Sequence, residues 1–245
     1  MKIATTFSKE GFFQYGKRCI DSILEYWPNL TSVVIYVDFD LQIDDSRVTI
    51  KKFADVFPGH KDFVSKVTEH YKKANYEKAA VISAKTIKFS YKSFVISQEV
   101  NLDLDKKFIW LDGDTETISS VNEEIFTDLL QNKWLACQVE SPQHRHSHVE
   151  TGILIFNQGN EKERLMFSNR LLQTYNSDEI FSYKKPYDGY IISNIVKSIE
   201  NYVDLNARFN VTKKRSNHAE TFLHPVLKKH FVHWIGQEKN VDTSI

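Results

Sequence analysis

In FIWLDGDTET (Phe108 to Thr117) an apolar run closes on two aspartates one residue apart. Asp112 and Asp114 offer hard carboxylate oxygens, and three chemistries use such a pair. They are a calcium loop, a phosphoryl-accepting aspartate, and a divalent cation that carries another molecule's phosphates. A calcium loop counted from Asp112 finds its acids at Asp114, Glu116 and Glu123, but Thr117 stands where glycine makes the turn. The run before it also reads as a strand, not the helix such a loop follows. A phosphatase of the haloacid dehalogenase type wants Thr or Val two residues past the second aspartate, where Glu116 stands. That type carries its aspartates near the N-terminus, whereas here more than 100 residues come first. The third chemistry fits the spacing. Carboxylates at i and i+2 on a strand end can reach one Mg²⁺ or Mn²⁺, which offsets the charge of a bridging diphosphate. A solvated turn explains an isolated D-x-D equally well.

HFVHWIGQEK adds His233, Gly236 and Lys239 in an H-x-x-G-x-x-K spacing. A neutral imidazole can complete a metal site begun by two carboxylates. Glycine lets backbone approach a ligand, and lysine places a point charge on a phosphate. The plain alternative is a packed histidine beside Trp234 and a lysine on a chain end.

These residues need a frame. The chain has 245 residues, 41% hydrophobic and 13% aromatic, enough apolar surface for a packed core. Lys plus Arg and Asp plus Glu balance at 32 each, so there is no global field for nucleic acid or an anionic membrane. Cys19 and Cys137 lie far apart in apolar segments, which predicts buried thiols and not a disulfide framework or C-x-x-C site. MKIATTFS is too short and polar for a signal peptide, and no apolar run approaches the roughly 18 residues of a membrane span. A cytoplasmic, soluble protein without a transmembrane segment is the expectation.

Strands are predicted at Lys2 to Phe7, SVVIYVD, KFIWLDGD, WLACQVE and GILIFN, with a last strand or extended segment at FVHWIG. Helices are predicted at Gly16 to Tyr26, Tyr76 to about Val100, Ser120 to Asn132, Glu161 to Tyr175 and Tyr187 to Ser198. Ala84, Ile87, Tyr91, Phe94 and Val95 fall on one face of the second helix. Residues from about 40 to 75 show no clear period. Strands alternating with helices predict an α/β sheet covered on both faces. Ligands then bind outside the carboxyl ends of strands, where Asp112 and Asp114 sit.

With both motifs in view, the chain resembles the GT-A fold nucleotide-sugar glycosyltransferases, most of all the retaining family 8 (glycogenin and lipopolysaccharide galactosyltransferase-like) group. Further matches follow in order: MKIATTFSKEGFFQYGKRCIDSI, ETGILIFN, PYDGYIISNIV and NARFNV. The resemblance implies one Rossmann-like GT-A domain over 1–245, about 1–114 its nucleotide-binding half and about 115–245 its acceptor half. It implies a hexose (glucose, galactose or N-acetylhexosamine) moving from a UDP-sugar to a hydroxyl acceptor with retention. That acceptor would be a glycan, a lipid-linked glycan or a protein. Asp112, Asp114 and His233 would hold Mn²⁺ or Mg²⁺. Thr5, Thr6 and Phe7 would line the nucleoside pocket, one of Lys85, Lys88 and Lys92 would meet the donor, and Asp112, Gly113, Gly236 and Lys239 would contact its nucleotide. Asp188 would lie near the anomeric carbon. There are departures: Glu150 replaces the first Asn of the N-x-G motif, Gly189 replaces the Gln of D-Q-D, and Asn240 and Val241 follow Lys239.

From the residues themselves, Asp38 at the end of the second strand either contacts base or ribose or caps the strand end. In an inverting reaction Glu150 or Asp188 would be the base. SPQHRHSHVE, with His144, Arg145, His146 and His148, reads as a loop over the acceptor side or a plain surface loop. The basic turn TKKRSNH (Thr212 to His218) either closes on the diphosphate or faces water. A metal-dependent phosphatase and a non-catalytic nucleotide-sugar binding module are the competing functions. Walker A, G-x-G-x-x-G and G-x-S-x-G patterns are missing from the sequence.

Overall fold

The computed structural model describes residues 1–74, 78–102, 107–139, 148–183, 185–207, 222 and 224–234. The chain opens with strand β1 (Lys2–Thr6) and turns through α1 (Lys9–Gly11) and a widened turn (Phe12–Gly16) into α2 (Lys17–Tyr26). Strands β2 (Ser32–Val37) and β3 (Val48–Lys52) follow, then helices α3 (Phe53–Val56), α4 (His60–Lys73) and α5 (Ala79–Val100). The second half holds β4 (Lys107–Leu111), β5 (Thr115–Thr117), α6 (Glu123–Leu130), β6 (Leu135–Val139) and β7 (Val149–Asn157). It ends with α7 (Glu161–Asn176), α8 (Asp188–Ile199), β8 (Val203–Asp204), α9 (Pro225–His230) and β9 (Phe231–His233).

Among the described residues, seven strands form one sheet in the order β3-β2-β1-β4-β7-β6-β8, and β5 pairs with β9. β3, β2, β1 and β4 run parallel, and β7 is antiparallel to both its neighbours. This is the α/β, mostly parallel architecture that the alternating pattern predicts. Successive strand residues enter opposite cores. Ala4, Tyr36, Phe108, Trp110, Leu154 and Phe156 pack beneath α4, α5, α7 and α8. Ile3, Ile35, Ile109, Leu111, Ile153 and Ile155 pack beneath α2 and α6. Covered on both faces, such strands are apolar at nearly every position. Cys19 and Cys137 are buried and free, as expected. No helix among the described residues is long and apolar enough to cross a membrane.

Three sequence expectations change. The helix predicted from Ser120 begins at Glu123, because the Asn122 side chain accepts from Ile125 N at 3.0 Å and caps it there. The unclear stretch holds β3 and α4. Phe63, Val67 and Tyr71 of α4 are buried at helical spacing, but charged residues crowd between them. On α5, Ala84 is exposed and Ile87 and Tyr91 are half-buried, whereas Thr86, Ser90, Ser93 and Ser97 are buried. The helix lies between the sheet and its neighbouring helices, and small hydroxyls permit close contact there. Ser97 Oγ is 2.9 Å from Ser168 Oγ, and Ser93 Oγ donates to Tyr175 Oη at 2.9 Å.

A buried carboxylate sets the position of α5 along the strands. Glu99 is fully buried, 2.6 Å from Lys2 Nζ of β1 and 3.4 Å from Lys51 Nζ of β3, and it accepts from the Tyr36 hydroxyl of β2. Lys92 lies two turns earlier on the same face, about 10 Å nearer the strands' carboxyl ends.

His60 closes the helical side of the core. Its ring lies against Phe53, Phe63, Tyr91 and Phe94. Nε2 is 2.7 Å from Ser90 Oγ, which itself donates to Ile87 O, so Nε2 carries the proton. Burial pushes the imidazole pKa down to about 4, with Asp38 opposing weakly. A depressed histidine stabilises the fold fully above its unfolded pKa of 6.5, and this is lost as pH falls toward the folded value. Between pH 7 and pH 5 the unfolding free energy should therefore drop by about 2 kcal/mol on this account alone. In His60→Gln, which keeps a donor toward Ser90, urea titrations at the two pH values should show that drop removed; an unchanged drop would show that His60 does not carry it.

Candidate active site

β4 delivers its last residues to the carboxyl edge of the sheet, and two backbone bonds shape the turn beyond it. Asp112 N donates to Gly152 O of β7 at 2.9 Å, and Thr115 N donates back to Asp112 O at 2.8 Å. β5 then pairs with β9, Thr115 opposite His233, and Trp234 N donates to Asp114 O at 2.9 Å. This ladder joins two motifs about 120 residues apart in sequence. His233 Nε2 is 3.0 Å from Asp114 Oδ1 and 3.7 Å from Asp112 Oδ2. One ligand atom from each of Asp112, Asp114 and His233 lies within 4.8 Å of the others.

Two glycines make room for this centre. A Cβ on Gly152 would lie 2.5 Å from His233 Nδ1, and one on Gly113 would lie 2.7 Å from the Phe7 ring. Behind the imidazole, Glu150 Oε1 lies 3.4 Å from His233 Nδ1 and accepts from Gly152 N at 3.0 Å. A carboxylate on the far nitrogen fixes a ligand histidine's orientation and raises its basicity. Phe222 stacks on the other side of the ring, with centroids 5.8 Å apart.

Lys92 joins this centre to α8. Its ammonium is 2.7 Å from Asp112 Oδ2, 2.6 Å from Asp188 Oδ2 and 2.9 Å from Thr151 Oγ1. Thr151 Oγ1 donates to Asp188 Oδ2 at 2.7 Å, and Trp110 Nε1 donates to Asp112 Oδ1 at 2.9 Å. Burial disfavours the Lys92 ammonium, but Asp112 and Asp188 outweigh it and raise its pKa. Burial also pushes Asp112 up, against the pull of Lys92. For Asp188 burial again pushes up, but Lys92, Thr151 and Gly189 N hold the carboxyl below its ordinary value. His233 follows the same logic. Burial lowers it, but Asp114 and Glu150 together push it up to about 10. Its proton thus occupies the place between imidazole and carboxylates that a bound cation would take.

The donor set suits a divalent cation: two carboxylates for hard-oxygen ligation and one backed imidazole. Asp112 and Asp114 stay partly open to solvent, so an incoming oxygen ligand can reach them.

The structure brings Asp112, Gly113, Asp114, Glu150, Asp188, Lys92 and His233 together. Phe7 borders them through Gly113. Thr5 is fully buried, and Thr6 Oγ1 donates to Tyr36 O at 2.7 Å. Asp38 accepts from Ala54 N at 3.0 Å and so caps α3. Lys85 and Lys88 are exposed, and Lys85 Nζ stands 5.5 Å from the Tyr187 ring centre. Of the lysine stripe only Lys92 turns inward. Gly236, Lys239, His144, Arg145, His146 and the turn Thr212 to His218 lie outside the described residues. Sequence reasoning missed Trp110, Thr151, Gly152 and the support around Glu116. Trp110 was within reach, because on a strand the residue two before Asp112 shares its side.

No protein-family model matches the chain, and no curated protein matches it. Solved structures do. An active-site mutant of the enzyme LgtC is 13% identical over 98% of this chain and 83% of its own, with a TM-score of 0.50. The glycosyltransferase GlyE of Streptococcus pneumoniae TIGR4 is 12% identical over 99% of this chain and 56% of its own, with a TM-score of 0.51. The bifunctional glycosyltransferase WbbM is 14% identical over 97% of this chain and 46% of its own, also with a TM-score of 0.51. The chain therefore has the fold of these solved glycosyltransferases, the GT-A fold.

The Lys92 bridge is testable without any ligand. Lys92→Met leaves buried Asp188 and partly buried Asp112 without their cation, and should cost about 3–5 kcal/mol at pH 8 by urea denaturation. The loss should shrink at pH 4, where the carboxylates can protonate. A loss below about 1 kcal/mol, the worth of an exposed pair, would mean that the bridge is not formed in solution.

Proposed function

We propose that this protein is a metal-dependent glycosyltransferase that moves a hexose from a UDP-sugar to a hydroxyl acceptor with retention. The observation that carries this reading is the convergence of Asp112, Asp114 and His233 at the carboxyl edge of a GT-A sheet. Asp112, Asp114 and His233 would hold Mn²⁺ or Mg²⁺, which when bound supplies positive charge to a diphosphate leaving group. Lys239 and the Gly236 backbone would add a point charge and a close amide. Phe7 and Gly113 border the nucleotide side. The uridine base and the acceptor classes (glycan, lipid-linked glycan or protein) rest on the sequence resemblance. The chain's neutrality gives no support to a nucleic-acid partner.

The carboxylates around the centre favour retention. An inverting reaction needs a base to deprotonate the acceptor hydroxyl. Asp188 is ion-paired to Lys92 and held below its ordinary pKa, which makes it a poor base. Glu150 is buried between His233 and Gly152 N. Both carboxylates suggested for that role are thus engaged: Glu150 in orienting the imidazole, Asp188 in fixing Lys92 beside Asp112. Gly189 fits its place sterically, since a Cβ there would lie 2.8 Å from Val149 O. A place for Asp188 near the anomeric carbon rests on the sequence resemblance. The fold favours sugar transfer over the phosphatase alternative.

Thermal unfolding with UDP, GDP, CDP and TDP, each with and without Mn²⁺, tests the reading. A ligand at about 100 times its Kd adds roughly 2.7 kcal/mol, which for a chain of this size raises Tm by about 5–10 °C. UDP with Mn²⁺ should give that shift, and Asp114→Ala should lose it. Wild type should then release hexose from a UDP-sugar. A shift without turnover of any UDP-sugar would identify a binding module, and no shift with any nucleotide would refute the proposal.

A further inference from the structure

His233 sits on a three-residue strand whose only ladder partner among the described residues is β5, itself three residues long. A two-stranded ribbon of this size is marginal on its own. Helix α2 supports it along one stripe. Ser22 Oγ accepts from Thr117 N at 3.0 Å, and Trp27 Nε1 donates to Thr117 Oγ1 at 2.9 Å. One turn before Ser22, Arg18 makes a different contact. Its Nε is 3.3 Å from Glu116 Oε2, and its guanidinium lies over the Trp234 ring, 4.8 Å from the centroid. Trp234 Nε1 donates to the same Glu116 Oε2 at 2.8 Å, while its backbone N donates to Asp114 O. Arg18, Glu116 and Trp234 thus form a clamp whose members flank two of the three candidate ligands. Glu116 follows Asp114 by two residues, and Trp234 follows His233.

We propose that Arg18 is a positioning residue for the cation centre: through Glu116 and Trp234 it fixes the β5–β9 ribbon and so aims His233 at Asp112 and Asp114. The inference rests on the metal site and not on the identity of the transferred sugar. Its sign is distinctive. Arg18 carries positive charge near a cation site, so by Coulomb's law alone its removal should tighten cation binding. A positioning role demands the opposite, because a loosened ligand weakens the site.

The test is Mn²⁺ affinity of the metal-free protein, read from the electron paramagnetic resonance signal of free Mn²⁺, with nitrogen hyperfine coupling of the bound ion as the second readout. Wild type should bind and show coupling to one imidazole. Arg18→Gln should bind about tenfold more weakly, the scale of lost outer-shell support, with diminished coupling. Arg18→Lys, which keeps the charge without the planar stack, should fall between. Trp234→Phe, which keeps a ring but not the indole donor, should weaken binding in the same direction, and both serve if Arg18→Gln does not fold. Unchanged or tighter binding in the variants would overturn the proposal, as would weaker binding with the imidazole coupling intact. Failure of wild type to bind Mn²⁺ would overturn both this inference and the metal site beneath it.

Discussion

Negative charge crowded at one sheet edge is the constraint that the rest of the structure answers. The carboxylates of Asp112, Asp114, Glu116, Glu150 and Asp188 all meet where β4 ends and β7 begins. Carboxylates this close and this buried cannot all stay ionised without cations among them. Three elements supply these: α5 brings Lys92 to Asp112 and Asp188, β9 brings His233 to Asp114 and Glu150, and α2 brings Arg18 to Glu116. Of these three cations among the described residues, the one that can give way is the proton on His233, since an imidazole that loses it becomes a ligand. On the proposed reading, a divalent ion would take the place of that proton among Asp112, Asp114 and His233.

The scaffold around this balance is apolar and covered on both sides. Parallel strands carry Asp112 to a defined edge, and the buried Glu99 cluster ties α5 to β1, β2 and β3. One helix thus anchors a buried carboxylate on three strands and, two turns earlier, a buried ammonium on Asp112. Glycine is required where the backbone or a ring comes closest: Gly152 beneath His233 and Gly113 beneath Phe7.

Much of the fold was legible in the sequence because strands covered on both faces are short, β-branched and aromatic runs, and SVVIYVD, KFIWLDGD and GILIFN stand out as such. The central pair was legible because two aspartates ending such a run have few roles. Less was legible where polar residues are buried for packing. The inward hydroxyls of α5 blurred its apolar face, and the three lysines there are indistinguishable by period until contacts show that only Lys92 turns inward. Asp38 and Thr5 had plausible types in plausible places; in the structure Asp38 accepts from Ala54 N and Thr5 is fully buried. The Arg18 clamp left no local signal at all, since Arg18, Glu116 and Trp234 come from three separate segments joined only by tertiary pairing.

The account stands on the location of the cation. Anomalous diffraction at the manganese edge, from crystals of the wild-type protein grown with Mn²⁺ and UDP, addresses it directly. The account predicts one strong anomalous peak within bonding distance of Asp112, Asp114 and His233, with diphosphate oxygens completing its coordination. Ordered UDP with no peak among those three side chains, or a peak held by other residues, would contradict it.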